Sequence, residues 1–255
     1  MVLERRREGS VEILTLNRPE QRNALSPEML GALSTAFAEA KDDDGVRVVI
    51  LTGAGDRAFC AGMDLKAFVQ QDGGERQQVD MSGFTEFSRG RFPKPVIGAA
   101  NATAVAGGFE LLMNCDLIVA SEQARFGVPE VKRGLFPAGG GVMLPARIPL
   151  AVALELGLTG EQIDAARAYQ LGLVNRVVPP DQVLPAALEL AAKISENGPL
   201  GVQVTKQLMR SCMVNGIEAT YKLQEQLHEK VFKSEDAMEG ARAFAEKRTP
   251  VWKGR

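Results

Sequence analysis

The sequence predicts an α/β protein whose strand-rich first two thirds give way to a helical C-terminal region. Three observations carry this reading. Short alternating or β-branched runs recur at residues 11–16, 46–52, 95–101 and 116–120. The last run of this kind, residues 173–178, stops at Pro179-Pro180. From residue 183 onward every segment has helical spacing, so a core over residues 1–182 and a helical oligomerisation region over residues 183–255 are expected.

Taken in order, residues 2–9 are polar and suit an edge or lead-in. In residues 11–16, Val11, Ile13 and Leu16 alternate with polar neighbours as in a half-buried strand, which Asn17-Arg18-Pro19 ends. Ser26 then reads as an N-cap, with Pro27 at the first helical position and Glu28 favourable to the helix dipole. Leu30, Leu33 and Phe37 carry that helix to residue 40, and the acidic run at residues 42–45 closes it in a solvated turn. Residues 46–52 are apolar on both faces and predict a buried strand.

The next segment, from Gly53 to Ala58, fits G-x-G-x-x-A, the outline of a dinucleotide fingerprint. A fingerprint opens an amphipathic helix at once, whereas Gly62 stands here where a helix interior would be, so nicotinamide binding is not expected. Residues 66–91 predict a mobile loop and then a helix anchored by Met81, Phe84 and Phe87; loops of this kind commonly carry specificity. The strands at residues 95–101 and 116–120 flank a helix opening at Gly107-Gly108. A second glycine cluster, Gly139-Gly140-Gly141, precedes a helical pattern at residues 142–144. Helices are expected at residues 151–158 and 163–171, and after the strand at 173–178, at residues 183–195, 200–213, 217–232 and 236–247.

Composition excludes several classes of function. Apolar content of 45% and charged content of 24% are ordinary for a globular protein, and 255 residues suffice for one large domain. A formal net charge of -2 gives no electrostatic reason for a nucleic-acid partner. Cys60, Cys115 and Cys212 are widely spaced and form no CxxC, so neither a disulfide framework nor a metal site is indicated. The charged N-terminus lacks the apolar stretch of a signal peptide, and no run approaches the roughly 20 apolar residues of a membrane helix. A cytoplasmic protein without membrane association is therefore expected. The single histidine, His228, lies in the amphipathic run 217–232 with no G-x-S-x-G elsewhere, so a serine hydrolase has no base. P-loop and H-E-x-x-H motifs are absent too.

The residues able to do chemistry concentrate in 94–141. An apolar run over residues 95–105 enters Gly107-Gly108 and then a helical pattern of Phe109, Leu111, Leu112 and Met113, with one acid, Glu110, among them. A glycine pair lets the backbone turn sharply and a ligand approach closely. The first N–H groups of a helix have no partner inside it and can bind a developing negative charge. A carboxylate among apolar neighbours is costly unless paired, hydrogen-bonded or functional. A second acid, Glu130, is fixed behind Pro129 after the extended run 124–127.

These pieces have companions at residues 17–25 (NRPEQRNAL), 58–65 (AFCAGMDL), 94–97 (KPVI), 107–116 (GGFELLMNCD), 126–130 (FGVPE) and 243–248 (AFAEKR). In that order, over nearly the whole chain, they resemble the crotonase superfamily and most of all its enoyl-CoA hydratase branch. The resemblance implies a crotonase-like core of stacked ββα turns, a spiral, with a helical C-terminal region. It implies an acyl-CoA thioester as substrate and no separate cofactor. The thioester oxygen would be held by the backbone N–H groups of Met63 and Gly107, each donor contributing roughly 3 kcal/mol at the transition state. Glu110 would take a proton from water and Glu130 would supply one to the α-carbon, two coupled carboxyls dividing the labour.

By the same resemblance Arg22, Ala61, Asp64 and Lys66 would bind CoA, Asp64 mainly by shaping its loop. Phe244 and Lys247 would reach a neighbouring subunit's site in a homotrimer or homohexamer. The chain departs from the hydratase pattern G-x-x-P-G-x-G-G at one position, since residues 134–141 read GLFPAGGG with Ala138 in place of a glycine. The methyl group and restricted φ of alanine bear on the water site there. An enoyl-CoA isomerase, which needs only one well-placed acid, and a non-catalytic acyl-CoA-binding homologue are the alternatives that the sequence leaves open.

Overall fold

The computed structural model describes residues 1–64 and 80–255. Its main sheet contains β1 (Leu3–Glu8), β2 (Val11–Leu16), β3 (Val48–Gly53), β4 (Val96–Ala100), β6 (Leu117–Ser121) and β9 (Arg176–Val178), in the order β1-β2-β3-β4-β6-β9. The first pair is an antiparallel hairpin and the remaining pairings are parallel. A smaller sheet holds β5 (Ala104–Val105), β7 (Arg125–Gly127) and β8 (Gln162–Asp164). Successive turns of chain thus place one strand in each sheet, β4 and then β5, β6 and then β7. These are the stacked turns that the resemblance implied.

The apolar run at residues 46–52 has a direct explanation in this arrangement. Side chains alternate across a strand, and β3 sends Val49 and Leu51 into one core and Val48 and Ile50 into another. The first core is closed by α1 (Pro27–Asp42), whose Met29, Leu33, Ala36, Phe37 and Ala40 are buried at helical spacing. Ser26 caps it as expected, its hydroxyl accepting from the Met29 N–H at 3.2 Å. The second core is closed by α6 (Val183–Ser195) through Val183, Ala187 and Ala191. The expected boundary at residue 182 therefore precedes a helix that packs on the sheet. The helices beyond it are α7 (Pro199–Asn215), α8 (Ile217–Phe232) and α9 (Glu235–Glu246).

The helix expected in the second part of residues 66–91 is α2 (Ser82–Ser88); the loop expected before it, Lys66 included, lies up to residue 79 outside the described residues. Phe87 of α2 stacks on Phe37 of α1 with ring centroids 4.2 Å apart. After β5 comes α3 (Gly107–Asn114), and α4 (Leu150–Thr159) follows the second glycine cluster.

Three expectations need correction. Ile163 and Asp164, expected in a helix, belong to the strand β8, because residues 162–164 pair antiparallel with β7. The helix α5 (Ala165–Gln170) starts only after Asp164, whose carboxylate caps it by accepting from the Arg167 N–H at 2.8 Å. The pattern at residues 142–144 is a 3-10 segment, Gly141–Ala146, with Pro145 inside it denying the α-helical hydrogen bond. The strand expected over residues 173–178 pairs only from Arg176, while Leu173 and Val174 turn into the core.

Candidate active site

Three segments converge where the sequence concentrates its glycines. The first, residues 60–64, is strung between neighbours on both sides. Cys60 bridges to Ala104 and Met63 to Leu25 in parallel pairings, with Leu25 N–H donating to Gly62 C=O at 2.8 Å and Asp64 N–H to Leu25 C=O at 3.0 Å. The second is the start of α3, which presses against the first so closely that a Cβ on Gly108 would lie 2.1 Å from the Cys60 carbonyl oxygen. Only glycine fits there. The turn into α3 runs through Ala106 at φ 51°, a left-handed value that costs an alanine strain and marks a constrained turn.

This packing sets the N–H groups of Met63 and Gly107 side by side. A Cβ on Gly62 would stand 3.0 Å from the Gly107 nitrogen, and one on Gly107 would stand 3.6 Å from the Met63 nitrogen. Among the described residues neither N–H donates to a backbone carbonyl. Paired backbone donors held by the fold are able to stabilise an oxyanion.

The third segment, residues 137–141, surrounds the acid on α3. Glu110 is buried, and its Oε1 accepts from the N–H of Gly139 at 2.7 Å and of Gly141 at 2.8 Å. Burial pushes its carboxyl above the ordinary range, and the two N–H groups only partly offset this. A Cβ on Gly139 would come within 2.5 Å of Glu110 Oε2, so a side chain there would push the carboxylate aside. Ala138, the departure from the family pattern, is exposed and not among the positive-φ residues, so its methyl group is carried without backbone strain.

Glu130 sits in the 3-10 turn Pro129–Arg133. Its Oε2 is buried and, among the described residues, has no hydrogen-bond partner. Burial raises its carboxyl above the ordinary range, and the charge on Glu110 adds to the rise; its own backbone N–H and Arg133 act the other way. The structure therefore brings Glu110 and Glu130 into electrostatic contact, twenty residues apart in sequence, and leaves one of them an orphaned oxygen.

Arg22, Arg57, Ala61, Thr103 and Gln162 line a cavity of about 490 Å³. Arg57 was not singled out from the sequence, and only the turn that carries it toward Arg22 reveals it. Asp64 is engaged structurally: it forms an ion pair with Arg18 at 3.0 Å, while Arg18 also donates to Ala24 C=O at 2.7 Å. Asn23 holds the same loop through Ala54 C=O and Ala58 C=O at 2.9 and 2.8 Å. Lys66 lies outside the described residues. Phe244 projects from α9 with 87% of its surface exposed, Lys247 caps that helix in a left-handed conformation, and neither lines the cavity of Arg22.

The family model for enoyl-CoA hydratase/isomerase matches residues 6–255, and the chain belongs to that family. It is 44% identical over 254 residues to the enoyl-CoA hydratase EchA19 of Mycobacterium tuberculosis, covering 98% of this chain and 95% of that one. With the carnitinyl-CoA dehydratase of Proteus mirabilis it shares 41% identity over 257 residues, or 97% of this chain and 96% of the relative. Among solved structures, an enoyl-CoA hydratase from Mycobacterium tuberculosis H37Rv superposes with a TM-score of 0.91 at 43% identity, covering 100% of this chain and 99% of that one. The carnitinyl-CoA hydratase of Mycobacterium avium gives a TM-score of 0.78 at 42% identity, with coverage of 100% and 99%. The fold is crotonase-like.

Proposed function

We propose that this chain adds water reversibly across the double bond of a 2-trans-enoyl-CoA to give a 3-hydroxyacyl-CoA. One observation carries the proposal: the buried Glu130 Oε2, without a hydrogen-bond partner among the described residues, is electrostatically coupled to a Glu110 held by two backbone N–H groups. Hydration needs one group to take a proton and one to give it. Glu110, oriented by Gly139 and Gly141, takes the water proton as the oxygen bonds to the β-carbon. Glu130, whose surroundings disfavour its charged form, delivers a proton to the α-carbon. The N–H groups of Met63 and Gly107 hold the thioester oxygen while it carries the enolate charge. An isomerase would use one acid and would leave the second raised carboxyl unexplained. Relatives named as an enoyl-CoA hydratase and as a carnitinyl-CoA dehydratase carry names that denote adding or removing water on a CoA ester, which supports the reading.

The CoA part of the substrate then lies along the cavity of Arg22, Arg57 and Ala61, the two guanidinium groups facing its phosphates. Asp64 acts by holding the loop, and Lys66 supplies a further cation for the phosphates. Phe244 and Lys247 serve a neighbouring subunit in a homotrimer or homohexamer, which the exposure of Phe244 supports. A cytoplasmic location fits three unpaired thiols. Among the described residues no helix is long and apolar enough to cross a membrane.

Hydration carried out in ¹⁸O-labelled water tests the reaction type. The expected result is a 3-hydroxyacyl-CoA carrying the label at its hydroxyl. Migration of a double bond without uptake of label would assign isomerisation instead.

A further inference from the structure

Glu110 depends on two elements at once: α3, which bears it, and the segment at residues 139–141, which supplies its two N–H donors. At the far end of α3 these elements meet again. Arg147 follows the 3-10 segment Gly141–Ala146 directly, and its Nη1 donates to the carbonyls of Met113 at 2.8 Å and Cys115 at 3.3 Å. Those carbonyls belong to the unpaired C-terminal end of α3, where a cation also complements the helix dipole. Leu144 is buried in the core between the two attachment points, and Arg147 N–H closes the segment on Leu144 C=O at 2.9 Å.

We propose that Arg147 is a positioning residue for the reaction, a strap that holds the segment at residues 139–146 against α3 and so keeps the Gly139 and Gly141 N–H groups on Glu110. The proposal deepens the hydratase reading and rests on Glu110 as the base. Arg210 supplies a built-in comparison. It too donates to the end of α3, to Asn114 C=O at 3.0 Å, and pairs with Asp116 at 2.7 Å. Arg210 comes from α7, however, and has no covalent continuity with the Gly139–Gly141 donors. Both arginines cap the helix; of the two, Arg147 ties it to the loop that grips the carboxylate, beside a longer contact in which Asn114 Nδ2 donates to Gly139 C=O at 3.4 Å.

Losing the grip has a definite sign. The Gly139 and Gly141 N–H groups stabilise the charged form of Glu110 against burial, and the other charged groups near the pair are Glu130, from the turn Pro129–Arg133, and Arg133 beside it. Arg147 acts on Glu110 through those donors and not through its own charge. With the strap cut, the Glu110 carboxyl holds its proton to higher pH.

The test is an infrared difference titration of the Glu110 carboxyl, Glu130→Gln minus Glu110→Gln/Glu130→Gln so that Glu130 contributes no signal, repeated in Arg147→Met and Arg210→Met backgrounds. Arg147→Met moves the midpoint upward and Arg210→Met leaves it in place. In the enoyl-CoA hydration assay Arg147→Met lowers kcat by about ten- to a hundred-fold, as a small misplacement of a catalytic group does, with KM little changed. Arg147→Lys, which keeps one donor for the helix end, restores most of the rate and also serves if the methionine variant fails to fold. An unmoved midpoint in Arg147→Met, or equal movement in Arg210→Met, overturns the strap whether or not the protein is a hydratase. Absence of hydration in the wild type would instead overturn the functional reading, and the titration keeps the two failures apart.

Discussion

At the residue scale the proposed site turns on two carboxyls that burial pushes the same way. The proposed mechanism uses Glu110 charged and Glu130 neutral, so kcat/KM should rise with pH as Glu110 deprotonates and fall as Glu130 does. Both limbs lie above the ordinary carboxylate range. Glu110→Gln removes a charge that raises Glu130, so the Glu130 midpoint moves down in that variant, an effect that carboxyl-specific infrared titration can follow. The stability consequence follows from linkage. The folded chain holds the Glu130 proton more tightly than the unfolded chain does, which favours folding below the ordinary glutamate pKa and ceases to do so as pH rises through the raised value. Glu130→Gln should therefore raise Tm by a few degrees near neutral pH and leave it unchanged below about pH 4, where both states are protonated. A similar gain at both pH values, measured by calorimetry, would contradict the account.

At the scale of elements, the apposition of residues 60–63 with α3 is the sensitive joint. A Cβ at Gly108 meets a backbone carbonyl, which cannot swing aside as a side chain can. Gly108→Ala should cost about 1–3 kcal/mol of stability and lower kcat as the Met63 and Gly107 donors are forced apart. Ser26→Ala makes the contrast, costing about 1 kcal/mol as a lost N-cap with kcat intact; denaturant unfolding and steady-state kinetics separate the two. The same contrast explains what could be read beforehand. Ser26-Pro27-Glu28 announces its helix because capping is local, and the β-branched residues 46–52 announce a strand buried on both faces. Residues 162–164 could not be read that way, since their strand character exists only beside β7 and the cap at Asp164 is visible only once the helix is shortened. The acids and the glycine clusters were legible as chemistry. That Gly139 and Gly141 both point their N–H groups at Glu110, that Arg57 joins Arg22 and that Arg147 straps α3 were not, because each depends on contacts between distant segments.

At the scale of the molecule, the C-terminal helices present much unburied apolar surface. No residue of α8 is buried, and Met209, Met213, Val214, Ile217, Tyr221 and Phe232 are exposed along α7 and α8. Surfaces of this kind mark association. Sedimentation equilibrium at micromolar concentration should find a trimer or its multiple, and Phe244→Asp should weaken CoA-ester binding without altering the Glu110 midpoint. A monomer at that concentration would remove the role given to Phe244 and Lys247.

The central claim, that Glu110 and Glu130 together hydrate a conjugated thioester, is tested most directly by following the ultraviolet absorbance of crotonyl-CoA with wild type, Glu110→Gln and Glu130→Gln. The account predicts rapid loss of absorbance with the wild type and a decrease of about 10²- to 10⁴-fold in each variant, the size of a general acid–base contribution. Full activity in either variant would contradict it, because one carboxyl would then suffice.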